Sequence, residues 1–194
     1  NENYTASSSN ATFTVNKLTP VIEVTNVTIV EGKDAVINIA GSDDRDANLV
    51  VSVGGVDYAV NMTDGVASLS VKGLTIGNNS VVVTYLENDK YVETGASGWV
   101  NVVAKGSSAV NIGVNDIYVV DDTVVISVTP VNSTGALVVT INGKEQVIKD
   151  GKITIDKAVY GDYEIVAVLA EDDNYYGSNA TATFVVNKLT PVIE

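Results

Sequence analysis

Residues 49–60 read LVVSVGGVDYAV, and residues 137–148 read LVVTINGKEQVI. In the first stretch Leu49, Val51 and Val53 alternate with Val50 and Ser52. In the second, Leu137, Val139 and Ile141 occupy the matching positions. A period of two sends alternate side chains to opposite faces of an extended chain, so each run is a strand with one apolar face. Gly54-Gly55 and Asn142-Gly143 follow the runs, and such pairs suit a two-residue hairpin turn that needs positive φ at both positions. Ala35, Ile37 and Ile39 alternate with Val36 and Asn38 in the same way, and Asp64-Gly65 and Asp150-Gly151 mark further turns. No window keeps an amphipathic helical period over three turns. About seven short strands in about 85 residues, each apolar on one face, require two sheets packed against each other. The predicted fold is all-β, a tandem pair of β-sandwiches.

The matched stretches belong to a larger pattern. ENDKY (87–91) corresponds to EDDNY (171–175), and the strand endings at Lys105 and Lys188 correspond. A longer period is sharper: ATFTVNKLTPVIE (11–23) recurs as ATFVVNKLTPVIE (182–194), twelve of thirteen residues identical at an offset of 171. Self-similarity at a fixed spacing is the mark of a repeat array. The repeats divide the chain into 1–17, the last strand of a preceding repeat; 18–105, a first domain; 106–188, a second domain; and 189–194, the start of a following repeat. The linkers differ. Leu18-Thr19-Pro20 contains a proline and no glycine and is expected to be stiff. Lys105-Gly106-Ser107-Ser108 is expected to be loose.

Composition removes several function classes. The chain has neither cysteine nor histidine, which excludes a disulfide framework, a cysteine-held zinc site and any Ser-His-Asp triad. A net charge of −13 opposes binding to a nucleic-acid backbone. There is no nucleotide-binding fingerprint, and carboxylate pairs among 24 acids are expected by chance, so no enzymatic activity is expected. No cofactor is required, and no run suggests membrane insertion in this fragment.

The motifs DGVASL (64–69), GDY (161–163), EDDNY (171–175) and TFVV (183–186), in this order, resemble the bacterial-type immunoglobulin-like domain repeats of prokaryotic adhesin-like cell-surface proteins, and in style those of methanogenic archaea. The resemblance implies immunoglobulin-like sandwiches, an extracellular cell-surface setting and a role in cell adhesion. Its partners would be other immunoglobulin-like repeats of the same chain and a cell-surface glycan or protein of a partner cell. The first domain departs from the motif, with Gly77-Asn78-Asn79 where the second has Gly161-Asp162-Tyr163. Surface proteins of this kind can carry a Lys–Asn crosslink between first and last strands. Here the predicted first strands, 21–30 and 109–119, contain no lysine.

Two acidic loops offer hard oxygen ligands. Asp43, Asp44 and Asp46 follow one strand and Glu87 and Asp89 precede another, and in such a sandwich both loops fall at one end. Carboxylates so grouped suit Ca²⁺. Seven Asn-x-Ser/Thr sequences, at Asn3, Asn10, Asn26, Asn61, Asn78, Asn132 and Asn179, mark a glycoprotein if the chain is exported, and most sit at predicted turns. The tyrosine recurring at 4, 91 and 175 is expected as a packing anchor, and the unique Trp99 as core or interface. The reading is a non-enzymatic structural repeat of an extracellular adhesin or stalk. Two alternatives remain: a glycan- or protein-binding module, and a surface-filament subunit assembled by addition of the orphan strand 10–16 to a neighbour's sheet.

Overall fold

The protein is described by a computed structural model covering residues 2–43 and 46–191. It divides into two compact units, Asn1–Val103 and Ala104–Glu194. No helix occurs among the described residues.

The first unit contains β1 (Ile22–Val24), β2 (Val27–Val30), β3 (Ala35–Gly41), β4 (Ala47–Val53), β5 (Val56–Met62), β6 (Val66–Val71), β7 (Gly77–Tyr85) and β8 (Thr94–Val103). They form two sheets, in the orders β1-β3-β6 and β2-β8-β7-β4-β5. The second unit repeats the plan with β9 (Ala109–Gly113), β10 (Ile117–Val119), β11 (Val124–Val131), β12 (Leu137–Ile141), β13 (Lys144–Glu145), β14 (Lys152–Ile155), β15 (Gly161–Leu169) and β16 (Ser178–Asn187). Its sheets are β9-β11-β14 and β10-β16-β15-β12-β13. The fold is all-β, one two-sheet sandwich per unit, as the alternation predicts.

Each unit has eight strands rather than seven because its opening strand is split between the sheets. In the first unit β1 pairs antiparallel with β3, then the chain crosses over and β2 runs parallel to β8. Asn26 fixes the crossing. Thr25 N–H donates to Asn38 O at 3.0 Å on one sheet, and Asn26 Oδ1 accepts from Trp99 N–H at 3.0 Å on the other. Gly98 makes room, since a Cβ there would lie 2.8 Å from Asn26 Oδ1. In the second unit β10 and β16 form the same parallel pair.

All four predicted turns are present. Gly54 and Gly55 have φ of 58° and 86°, and Asn142 and Gly143 have 48° and 76°. Asp64-Gly65 and Asp150-Gly151 also have positive φ at both positions. Double-positive φ gives a turn whose twist matches that of paired strands, and glycine, asparagine and aspartate tolerate it best.

Two separate cores follow. Ile37, Val51, Val83, Tyr85 and Val100 lie at the centre of the first, and Val124, Ile126, Val139, Ile165 and Phe184 at the centre of the second. The departure at 77–79 has a structural answer. Tyr163 stacks on Phe184 with ring centroids 4.5 Å apart and donates its hydroxyl to Val159 O at 3.1 Å. At the matching place Asn79 is buried, and its Nδ2 donates to Thr75 O at 2.8 Å. Both side chains tie to the carbonyl four residues upstream, so an amide replaces the phenol at the start of the strand.

Residues 10–16 do not form a strand here. Phe13 and Val15, their alternating apolar side chains, are 88% and 82% exposed. A strand is stabilised by pairing and by a face to pack against, and neither is supplied to this segment within the unit.

Because the cores are separate, truncation in one spares the other. Phe184→Ala is expected to cost the second unit roughly 3–5 kcal/mol. Trp99 lies in the first unit and is the sole tryptophan. Urea unfolding followed by Trp99 fluorescence should be unchanged, while far-ultraviolet circular dichroism gains an earlier transition.

Candidate functional site

The positions that most distinguish each unit lie where the chain enters it. In the first unit, ENDKY (87–91) folds back on itself. Asn88 Oδ1 accepts from the N–H groups of Lys90 and Tyr91, each at 2.9 Å. This is an Asx turn, in which a short polar side chain replaces a main-chain acceptor. The turn presents main chain to the incoming segment. Leu18 N–H donates to Lys90 O at 3.0 Å, and Val92 N–H donates to Leu18 O at 2.9 Å. Lys17, next to this bridge, pairs with Glu87.

EDDNY (171–175) builds the same clasp. Asp172 Oδ1 accepts from Asn174 and Tyr175 N–H, both at 2.8 Å. Gly106 N–H donates to Asn174 O at 2.8 Å, and Tyr176 N–H donates to Gly106 O at 2.9 Å. Lys105 Nζ lies 3.6 Å from Glu171 Oε1 and donates to Asp172 O at 2.8 Å. A Cβ on Gly106 would meet the Tyr175 ring at 2.8 Å, so glycine lets the chain pass beneath the ring. Asp172 Oδ2 also accepts from the Thr134 main chain at 2.7 Å and its hydroxyl at 3.0 Å. The Thr134 and Asn174 main-chain bonds are the main reason its carboxyl is held well below the usual carboxylate range, against slight desolvation.

The Gly-Ser segment is therefore not loose, contrary to the expectation from its composition. Besides the Gly106 bridge, Ser107 O accepts from Asn132 Nδ2 at 3.1 Å. Ser108 Oγ donates to Tyr176 O at 2.6 Å. Main-chain and side-chain hydrogen bonds to the second unit outweigh the intrinsic freedom of glycine and serine. Residue-type reasoning also missed the roles of Lys17, Lys105, Asn88 and Asp172. The recurrence of Lys-x at the domain starts and Glu-[Asn/Asp]-Asp before a tyrosine was the available signal.

The acidic loops do lie at one end, joined by the Tyr91 hydroxyl, which donates to Asp43 O at 2.8 Å. Their carboxylates have other occupations. Asp43 Oδ2 accepts from Val21 N–H at 2.9 Å, Asp46 Oδ1 accepts from Asp64 N–H at 3.1 Å, and Glu87 pairs with Lys17. Asp89 borders a depression lined also by Val15, Lys17 and Leu18. Asp44 lies outside the described residues. Among the described residues no group of three or more acidic side chains is placed to hold a metal ion.

All seven glycosylation-type asparagines are exposed. Three of them, Asn61, Asn78 and Asn179, lie within β5, β7 and β16 rather than in turns. They occupy outward strand positions, which favour polar residues as turns do. Asn132, at φ 70°, spends the nitrogen that would carry a glycan on Ser107 O. Of the recurring tyrosines, Tyr91 is a buried anchor, Tyr175 is half-buried, and Tyr4 is 78% exposed. Trp99 is not core: it lies on the outward face of β8, 37% exposed, opposite Ser80.

No protein-family description matches the chain, and no curated protein matches it either. Solved structures do. The chain is similar to the I9–I11 tandem of titin at 11% identity, covering 87% of this chain and 66% of that one, with a TM-score of 0.52. Titin Z1Z2 in complex with telethonin matches at 15% identity over 91% of this chain and all of that one, TM-score 0.45. The fibronectin(III)-like modules of Clostridium thermocellum CbhA match at 16% identity over 87% of this chain and 95% of that one, TM-score 0.37. The first likeness establishes the immunoglobulin-like fold, and the other two are too loose to carry an argument. The class so defined is a pair of immunoglobulin-like modules.

The side chains that accept the turn bonds differ in charge, Asn88 in the first clasp and Asp172 in the second. A carboxylate whose folded pKa is depressed stabilises the fold above its unfolded value, about 3.9, and that stabilisation is lost as pH falls through the folded value. Acid should therefore loosen the Asp172 clasp, while neutral Asn88 adds no such dependence to the first. Protection against amide exchange at Asn174 and Tyr175, relative to the unfolded-chain rate at each pH, should fall below about pH 4. The Asp172→Asn variant should show a weaker acid response there.

Proposed function

We propose that this chain is a non-enzymatic structural repeat of an extracellular adhesin or stalk, projecting a binding region from a cell surface. The observation that carries the reading is the parallel pairing of first and last strands in both units. β2 pairs with β8 from Val27↔Val100 to Val30↔Val103, and β10 pairs with β16 from Ile117↔Val185 to Val119↔Asn187. Two parallel strands at the beginning and end of a unit put its entry and exit at opposite ends. Tension on the chain then loads the pair along its length, in shear, so its bonds share the force. Such modules are suited to linear arrays under load, and the 171-residue recurrence is the sequence of an array.

A cell-surface setting agrees with the resemblance of the motifs and with seven exposed glycosylation-type asparagines. Trp99 favours a second reading, a module that binds glycan through its own sheet face. The ring stands on an outward surface beside the small residue Ser97 and opposite Ser80. Aromatic faces of this kind stack on sugar rings.

Glycan arrays and cell-binding assays with this chain separate the two. The stalk reading expects no binding above background. Binding abolished by Trp99→Ala would replace it with the ligand-binding module.

A further inference from the structure

We propose that residues 7–17 are a competent final strand for the second unit, so that one copy of this chain can complete the sandwich of another. This inference rests on the array reading.

The slot is the groove between β15 and β10 that β16 fills. β16 pairs antiparallel with β15 along its whole length and parallel with β10 at its end. Its inward side chains are Ser178, Ala180, Ala182, Phe184 and Val186. Phe184 is 1% exposed, stacked on Tyr163 and edge-on to Tyr118 with centroids 5.5 Å apart. At the 171-residue offset those five positions become Ser7, Ser9, Ala11, Phe13 and Val15. Four are identical, and the fifth exchanges one small residue for another. The outward Val185, which bonds Asp116 O through its N–H at 3.0 Å, becomes Thr14, another β-branched residue. Phe13 and Val15 are both exposed in the described structure, so neither side chain is committed to the core of the first unit.

Register is specified as well as composition. A one-residue slip would turn Phe13 outward and Ser or Thr inward. The sequence after the donor strand, Lys17-Leu18-Thr19-Pro20, repeats Lys188-Leu189-Thr190-Pro191. A donated strand therefore leaves the groove with the same sequence that follows β16. Because the resident strand is tethered to its slot, exchange is favoured only where that strand is absent or damaged. The partner is a second copy of this chain, and the joint is a non-covalent extension.

The full chain tests this with the resident strand disabled. Phe184→Asp with Val186→Asp spoils β16 while leaving residues 7–17 intact. This variant should recover the second unit's strand signal by circular dichroism as concentration rises and form head-to-tail oligomers by light scattering. Adding Phe13→Asp and Val15→Asp should abolish both effects, whereas adding outward Thr14→Ser should not. A second readout fixes the register. Thr12 corresponds to Thr183, which lies opposite Glu164. The main chain of Glu164 bonds to Asn142, so this is a close, non-hydrogen-bonded pair suited to a disulfide. In the disabled chain, which has no native cysteine, Thr12→Cys with Glu164→Cys should crosslink on oxidation. A second unit that stays unfolded and uncrosslinked at every concentration, or a recovery indifferent to Phe13 and Val15, overturns the proposal. The stalk reading would survive either result, because it concerns the resident strand.

Discussion

The architecture turns on the parallel closure of each sandwich by its first and last strands. Most of the pairing is antiparallel, in part between neighbours in sequence such as β7 and β8 and in part between strands further apart such as β3 and β6. The closure joins residues far apart in the chain, Val27 to Val100 in the first unit and Ile117 to Val185 in the second, and it makes a ribbon of strands into a unit with two ends. Crossing of the opening strand from one sheet to the other is the necessary step. Asn26 accomplishes it by accepting from Trp99, and Gly98 accommodates it by lacking a side chain.

The entry clasps extend the same logic. An Asx turn before the last strand exposes main chain to the segment that leads into the unit, and a lysine next to that segment reaches a glutamate on the turn. The ion pairs themselves are at least partly exposed and contribute little alone. The main-chain bridge gives the clasp its direction, and the side chains decide its chemistry. Asn88 makes the first clasp neutral, whereas Asp172 gives the second a charge-assisted version that acid can open.

Much of the fold was legible in the residues. Alternation placed Ile37, Val51 and Val139 inside, and the pairs Gly54-Gly55, Asn142-Gly143, Asp64-Gly65 and Asp150-Gly151 located the turns. These signals are local, and a period of two or a demand for positive φ acts within a few residues. What was not legible depends on distant partners. The split opening strand of the first unit depends on the main-chain N–H of the distant Trp99. Asn79 takes the place of a tyrosine because its amide reaches Thr75 O. The Gly-Ser segment is held because Tyr175 and Asn132 lie over it. Carboxylates grouped in sequence suggested Ca²⁺; the bonds that Asp43 and Asp46 accept from the main chain of Val21 and Asp64 could not be read from that grouping.

The most direct measurement of the central claim is single-molecule stretching of the chain between its termini. Glu31 N–H donates to Val103 O at 2.8 Å, and Val120 N–H donates to Asn187 O at 2.9 Å, one at the end of each parallel pair. Proline at either position removes the donor. If the closures bear the load, the chain unfolds in two discrete events, and Glu31→Pro and Val120→Pro each lower the force of one event and leave the other in place. Smooth extension without discrete events, or forces unmoved by both substitutions, would contradict the account.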